Sequence, residues 1–259
     1  PSYSQVTGAS SGLVAPRART VHVNDSAQAN PPQIVQLEQP FLSYLIIPSL
    51  RAFVKGFLKM VTIDDLIQKL QTYLPPGDVD LVRRAYTFAT EAHGEQKRKS
   101  GEDYVTHPLA AAITLADMGL DVQSIVAALL HDVSEDTPVP LEKVQEAFGP
   151  EISHLVDGVT KLSKIEWGTL EERQAESMRK MFLAMADDMR VVLIKLADRL
   201  HNVSTLDHLR PEKRQKVAQE TLEIYAPLAS RLGIWQIKWQ LEDFAFRHLN
   251  PPKYREIAR

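Results

Sequence analysis

Residues 127–137 read "AALLHDVSEDT". Apolar residues in a helical register run straight into His131, Asp132, Glu135 and Asp136. An imidazole and three carboxylates at the end of a core-filling helix are costly to bury unless paired or bound to something. The partners must come from other apolar segments of the chain.

The flanking sequence is helical in pattern as well. "TIDD", 62–65, offers Thr62 as N-cap and Asp65 three residues on, close to a capping box. Leu66, Leu70 and Leu74 follow at helical spacing, and Pro75-Pro76-Gly77 ends the element. A second helix is expected from about Val79 to His93, with Leu81, Ala85, Phe88 and Ala92 on one face. A polar loop, "GEQKRKSGEDYVT", comes next. Further helices fit 107–118, 122–132, 141–148, 151–164, 171–186, 189–206, 212–224 and 234–248. No alternating strand pattern occurs. The expected fold is all-α, a single domain over 60–259 without an internal repeat.

Residues 1–38 are rich in Ser, Pro, Ala, Asn and Gln and read as disordered or extraneous. "FLSYLIIPSLRAFVKGFLKM", 41–60, is interrupted by Pro48, Arg51 and Lys55, too often for a membrane span. It reads as a short amphipathic helix or part of an extraneous extension over 1–59. Met60 looks like a natural start.

The formal net charge is −3, from 30 basic and 33 acidic residues, so no basic excess calls for nucleic acid or an anionic membrane. The absence of cysteine excludes disulfides, thiolate metal sites and cysteine nucleophiles, and fits a reducing cytoplasm. The glycines form no phosphate-cradling motif. Phosphate chemistry here would have to use a metal or side-chain cations.

Four residues are suited to hold a metal. His107 opens one helix before Pro108, His131 and Asp132 end another, and Asp198 lies inside the apolar "RVVLIKLADRLHNV", 190–203. Two imidazoles and two carboxylates suit Mn²⁺, Fe²⁺, Zn²⁺ or Mg²⁺, with Mn²⁺ a good compromise. Adjacent helical residues point about 100° apart, so His131 and Asp132 can share an ion only beyond the helix end. Ala127 and Ala128 allow close helix approach. Asn202 and Lys195 share a face with Asp198, where Asn202 could bond a substrate and Lys195 bring positive charge.

Each residue also has a structural explanation. Asp198 could pair with Arg199 or Lys195, His107 could cap its helix, and Glu135, Asp136 and Thr137 could form a solvated turn. The combination on separate apolar helices favours a metal site. In "KRKSG", 97–101, Arg98 could stack on a base and Lys99 hold a phosphate if the loop folds over the metal. Otherwise it is a solvated charge run. Lys161 and Lys164 in "DGVTKLSK", 157–164, read by themselves as a solvated face.

"RKSGEDYVTHP", "AALLHDVSEDT", "VDGVTKLSKI", "RKMFLAMADDMRVVLIKLADRLHN" and "APLASRLGIWQIKWQLEDFAFRHLNPPKY" occur in this order. Together they resemble the N-terminal hydrolase domain of RelA/SpoT-type bifunctional (p)ppGpp synthetase/hydrolases, a member of the HD superfamily of metal-dependent phosphohydrolases. The resemblance covers roughly 60–259. It implies Mn²⁺ held by His107, His131, Asp132 and Asp198, and an acidic pair, Glu135 and Asp136, needed for hydrolysis. It assigns Arg98, Lys99 and Ser100 to the guanine and phosphates, and Lys161, Asn202 and Thr205 to the nucleotide pocket. Ser134 and Asp103 depart from the usual residues without touching these roles.

The reaction so implied is removal of the 3′-pyrophosphate from guanosine tetra- or pentaphosphate, giving GDP or GTP and pyrophosphate. A synthetase domain is expected in the full-length protein, but no synthetase motif is present. The rival readings are an HD phosphohydrolase for another nucleotide, an idle alarmone-binding regulatory domain, and a helical interaction module.

Overall fold

Thr62 opens the first helix of the described residues. In the computed structural model, which describes residues 61–163 and 170–258, its hydroxyl accepts from Asp65 N at 3.2 Å. The Asp65 carboxylate accepts from Thr62 N at 2.8 Å. The expected capping box is therefore formed, and it opens α1, Ile63–Leu70. The expectations for residues 1–59, for Met60 and for Lys164 fall outside the described residues.

The Pro75-Pro76-Gly77 stretch starts a helix rather than closing one. α1 ends at Leu70, and α2 runs over Pro76–His93 with Pro76 in its first turn. Proline is pre-set for that position because its missing N–H would have had no helical partner. The buried face of α2 is Val79, Val82, Ala85, Ala89 and His93, while Leu81, Phe88 and Ala92 are only partly covered.

The chain continues through α3 (Thr106–Asp117), α4 (Val122–Leu130), α5 (Val133–Asp136), α6 (Leu141–Phe148) and α7 (Pro150–Ser163). Beyond the undescribed gap come α8 (Leu170–Asp187), α9 (Met189–Ser204) and α10 (Pro211–Glu220). The last are α11 (Ala226–Arg231), α12 (Trp235–Leu249) and α13 (Pro251–Ile257). Among the described residues there is no β-strand, only an isolated antiparallel bridge between Lys97 and Asp103 in the loop before α3. The fold is all-α, as the periodicity indicated.

Three further features differ from the sequence reading, each for a local reason. The helix expected over 122–132 stops at Leu130, and a turn through His131 and Asp132 leads into α5. The helix expected over 212–224 runs on through a π turn, Thr221–Tyr225, where Ala226 N–H reaches back to Thr221 O. Pro227 follows and has no N–H to give the ladder, and the wider turn absorbs that break. α13 was not expected; Asn250 caps it by accepting from Lys253 N at 3.2 Å, with prolines in its first turn.

Two helices form the centre. α4 is buried almost along its whole length and packs on α2, α3 and α7. α9 packs on α3, α7, α8 and α12. Leu129, Leu130, Leu196 and Leu200 are fully buried, each stabilising the core by about 1.5–3 kcal/mol. Ala111, Ala112, Ala127 and Ala128 are fully buried where α3 meets α4, so the two backbones approach closely. α7 approaches α9 through Gly158, where an added Cβ would stand 2.7 Å from Val191 Cγ2. No helix among the described residues is long and apolar enough to cross a membrane.

Candidate metal centre

The start of α3, the end of α4 and the middle of α9 bring ligand-type side chains to one point. His107 Nε2 lies 3.1 Å from Asp198 Oδ1 and 3.6 Å from Asp132 Oδ2. His131 Nε2 lies 3.0 Å from Asp132 Oδ1 and 4.0 Å from Asp198 Oδ1. One donor atom each from His107, His131 and Asp198 falls within a mutual 4.8 Å, and all three residues are buried. The break between α4 and α5 lets adjacent His131 and Asp132 face the same point. His131 is the C-cap of α4, and Asp132 turns with φ −91° and ψ −10° into α5.

The donor chemistry fits a divalent cation. His131 Nδ1 sits 2.8 Å from Ala128 O. A carbonyl only accepts, so Nδ1 carries the proton and Nε2 is turned to the centre. That Nε2 is fully buried and has no hydrogen-bond partner. Asp132 Oδ1 is near enough for charge attraction but does not meet hydrogen-bond geometry. A buried nitrogen of this kind needs a proton or a metal. Burial drives the His131 pKa down, yet Asp132 and Asp198 outweigh it and push it up to about 9. The same pair of carboxylates would attract a cation.

Burial also opposes charge on Asp198, but Lys195 and His107 hold its carboxyl well below the ordinary range. Lys195 Nζ donates to Asp198 Oδ2 at 2.6 Å and to Ser163 Oγ at 2.8 Å. Asn202 Nδ2 donates to Asp198 Oδ1 at 2.5 Å. Burial lowers the His107 pKa despite the nearby aspartates.

The remaining expected site residues divide into two groups. Arg98 lies against the centre, with Nη2 donating to Asn202 Oδ1 and Nη1 meeting His201 Nδ1, both at 2.9 Å. Asp136 joins through Tyr104, whose hydroxyl donates to the Asp136 carboxylate and stands 3.4 Å from Asp132 Oδ2. Glu135 and Asp136 are exposed on α5, and Lys99 is exposed in its loop. By contrast, Ser100 Oγ donates to Glu102 Oε2 at 3.1 Å within its own loop. Lys161 is largely exposed and pairs with Asp157 at 2.5 Å on its own helix. Thr205 turns its hydroxyl to His201 O and Asn202 O at the end of α9.

Two residues at the centre were not singled out from the sequence. Tyr104 stacks on His93 with ring centroids 4.4 Å apart. Burial first, then Asp132 and Asp136, raises its phenol pKa. Its place three residues before His107 was the available signal. His201, three residues after Asp198 on the same helix, was readable as a buried histidine beside a candidate ligand.

The sequence pattern described as "HD domain" matches residues 85–235. The chain is 50% identical over 201 residues to a "Probable guanosine-3′,5′-bis(diphosphate) 3′-pyrophosphohydrolase" of Synechocystis sp., covering 75% of this chain and 26% of that protein. It is 52% identical over 198 residues to the "Bifunctional (p)ppGpp synthase/hydrolase SpoT" of Escherichia coli, covering 76% and 28%. It is 53% identical over 185 residues to a "GTP pyrophosphokinase" of Myxococcus xanthus, covering 70% and 24%. The chain thus spans about a quarter of the length of these relatives.

Proposed function

The chain belongs to the HD-domain family, and from that premise we propose that it hydrolyses the 3′-pyrophosphate of guanosine 3′,5′-bis(diphosphate) and of the pentaphosphate. Water is consumed, and GDP or GTP and pyrophosphate are the products. The observation that carries this reading is the convergence of His107, His131, Asp132 and Asp198 on one buried point. The names of the Synechocystis and Escherichia coli relatives supply the substrate class.

His107, His131, Asp132 and Asp198 are the residues that would hold one divalent ion, with Mn²⁺ a good compromise for two imidazoles and two carboxylates. Such an ion, when bound, lowers the pKa of water and polarises a phosphoryl oxygen. Glu135 and Asp136 lie on α5 just after Asp132, with Asp136 tied to the centre through Tyr104, and in this reading they orient the attacking water and accept its proton. That role is worth roughly 10²–10⁴ in rate. Tyr104 holds the Asp136 carboxylate in place.

Arg98 and Lys99, on the loop before α3, offset the charge of the leaving pyrophosphate, the positioning and charge stabilisation on which phosphoryl transfer depends. Asn202 keeps Asp198 and Arg98 in register by bonding to both. Ser100, Lys161 and Thr205 belong to the nucleotide pocket in this reading. Ser100 and Lys161 would first have to leave the contacts they make here with Glu102 and Asp157.

In domain terms, residues 60–259 form the hydrolase unit, with 1–59 as an extension outside it. The bifunctional name of the Escherichia coli relative supports a synthetase domain in the full-length protein. A cytoplasmic location accords with the lack of cysteine.

The test is Mn²⁺-dependent release of pyrophosphate from the tetraphosphate by the purified chain. GDP and pyrophosphate in equal amounts are expected. Binding of the nucleotide without turnover would favour an idle alarmone-binding domain, and faster turnover of another nucleotide would reassign the substrate.

A further inference from the structure

We propose that His201 is a positioning residue that fixes which nitrogen of His107 faces the metal centre, and that Arg98 in turn fixes His201. The inference rests on the reading of His107 as a ligand.

Arg98 Nη1 lies 2.9 Å from His201 Nδ1. A guanidinium donates and never accepts. His201 Nδ1 is therefore the acceptor and carries no proton. His107 Nδ1 lies 2.8 Å from that same nitrogen. Two bare nitrogens at this distance would repel, so His107 Nδ1 holds the proton and shares the His201 lone pair with Arg98 in a three-centre bond. A neutral imidazole carries one proton, which leaves His107 Nε2 as a bare lone pair.

That lone pair points to Asp198 Oδ1 at 3.1 Å and Asp132 Oδ2 at 3.6 Å. Facing carboxylate oxygens, it is favourable only with a cation between them. The other tautomer would aim an N–H at Asp198 and close the site with a hydrogen bond. His107 and His131 both turn Nε2 to the centre, each held at Nδ1 by a different partner. His131 is set by the Ala128 carbonyl of its own helix. His107 is set by a second buried histidine on α9, with ring centroids 4.9 Å apart. Orienting partners of this kind keep a ligating imidazole in the right tautomer and raise its basicity.

The test compares two polar replacements that differ in where the acceptor sits. His201→Asn puts an amide oxygen close to the position of Nδ1. His201→Gln extends the amide towards the position of Nε2 and leaves His107 without its acceptor. Mn²⁺ affinity of the metal-free chain is measured by calorimetry at one pH, with helicity and thermal unfolding of each variant alongside. His201→Gln is expected to bind roughly 10–100-fold more weakly than wild type, and His201→Asn to recover most of the loss. A purely space-filling role reverses that order, because glutamine is nearer to histidine in size, and overturns the inference. Equal affinity in all three proteins also overturns it while leaving the ligand assignment intact. A wild-type chain that takes up no Mn²⁺ overturns both.

A measurement on the metal-free wild type needs no variant. Nitrogen-15 spectra of the imidazole rings should show the His107 proton on Nδ1. A proton on Nε2 of neutral His107 would contradict the proposal.

Discussion

Lys195 and Asp198 lie one turn apart on α9, both buried, with Nζ donating to Asp198 Oδ2 at 2.6 Å. Burial acts against each charge, yet the pair holds Lys195 protonated and Asp198 ionised. Removing Lys195 takes away the largest counter-charge of the buried Asp198, which keeps only His107, His131 and the Asn202 bond. Lys195→Met should therefore destabilise the metal-free protein by about 3–5 kcal/mol. Urea unfolding measures this. A loss too small to resolve would mean that Asp198 does not depend on Lys195 for its charge.

Glu135 and Asp136 are assigned to proton transfer rather than to the metal. Glu135→Gln and Asp136→Asn should keep the ion and the nucleotide but lower kcat by roughly 10²–10⁴. Tyr104→Phe frees the Asp136 carboxylate and should lower kcat by a smaller factor with metal content unchanged. Metal analysis beside pyrophosphate release separates these outcomes. Loss of the ion in either carboxylate variant would move that residue into the ligand set.

Gly158 lets α7 approach α9 at Val191. A Cβ there would meet Val191 Cγ2 at 2.7 Å and Cγ1 at 3.1 Å, and Val191 is itself buried. Gly158→Ala should cost about 1–3 kcal/mol through overpacking. The double change with Val191→Ala should recover part of it. Chemical denaturation of the two proteins checks the pairing, and a fully additive double variant would contradict it.

Asp243 on α12 gives a pH dependence. It is buried, with Oδ2 accepting from Tyr254 OH at 3.2 Å. Burial raises its pKa, and the opposing pull of Tyr254 and Arg247 does not cancel the effect. The folded state thus binds this proton more tightly than the unfolded state. The stability from Asp243 is full below the unfolded value of about 3.9 and is lost as pH rises through the raised folded value. Asp243→Asn should remove that loss, so the variant gains on wild type between acid and neutral pH. Unfolding free energies across that range measure the difference. The opposite trend would contradict the sign.

The sequence made the helices legible wherever apolar spacing was regular. α4, α6, α7 and α9 fall within two residues of their expected starts and ends. The exceptions depend on backbone chemistry rather than hydrophobic pattern. Pro76 looked like a stop because proline ends helices as well as starting them. The π turn before Pro227 carries no compositional mark.

At the centre, His107, His131, Asp132 and Asp198 were readable because each is an ionisable group in an apolar segment, and the structure brings them together. Arg98 was readable as a nucleotide contact only if its loop folded over the metal, and otherwise as part of a charge run. Its inward turn to His201 and Asn202 depends on the loop path set by Gly101 at φ 88° and the Lys97–Asp103 bridge. Lys161 shared the resemblance that marked the others, but its i,i+4 spacing to Asp157 on the same helix already allowed the ion pair it makes.

The most direct test of the four-residue centre is metal content. The purified chain, saturated with Mn²⁺ and freed of excess, should hold one equivalent, and His107→Ala or Asp132→Ala should hold close to none while keeping wild-type helicity. Full occupancy in either variant, or none in the wild type, would contradict the account.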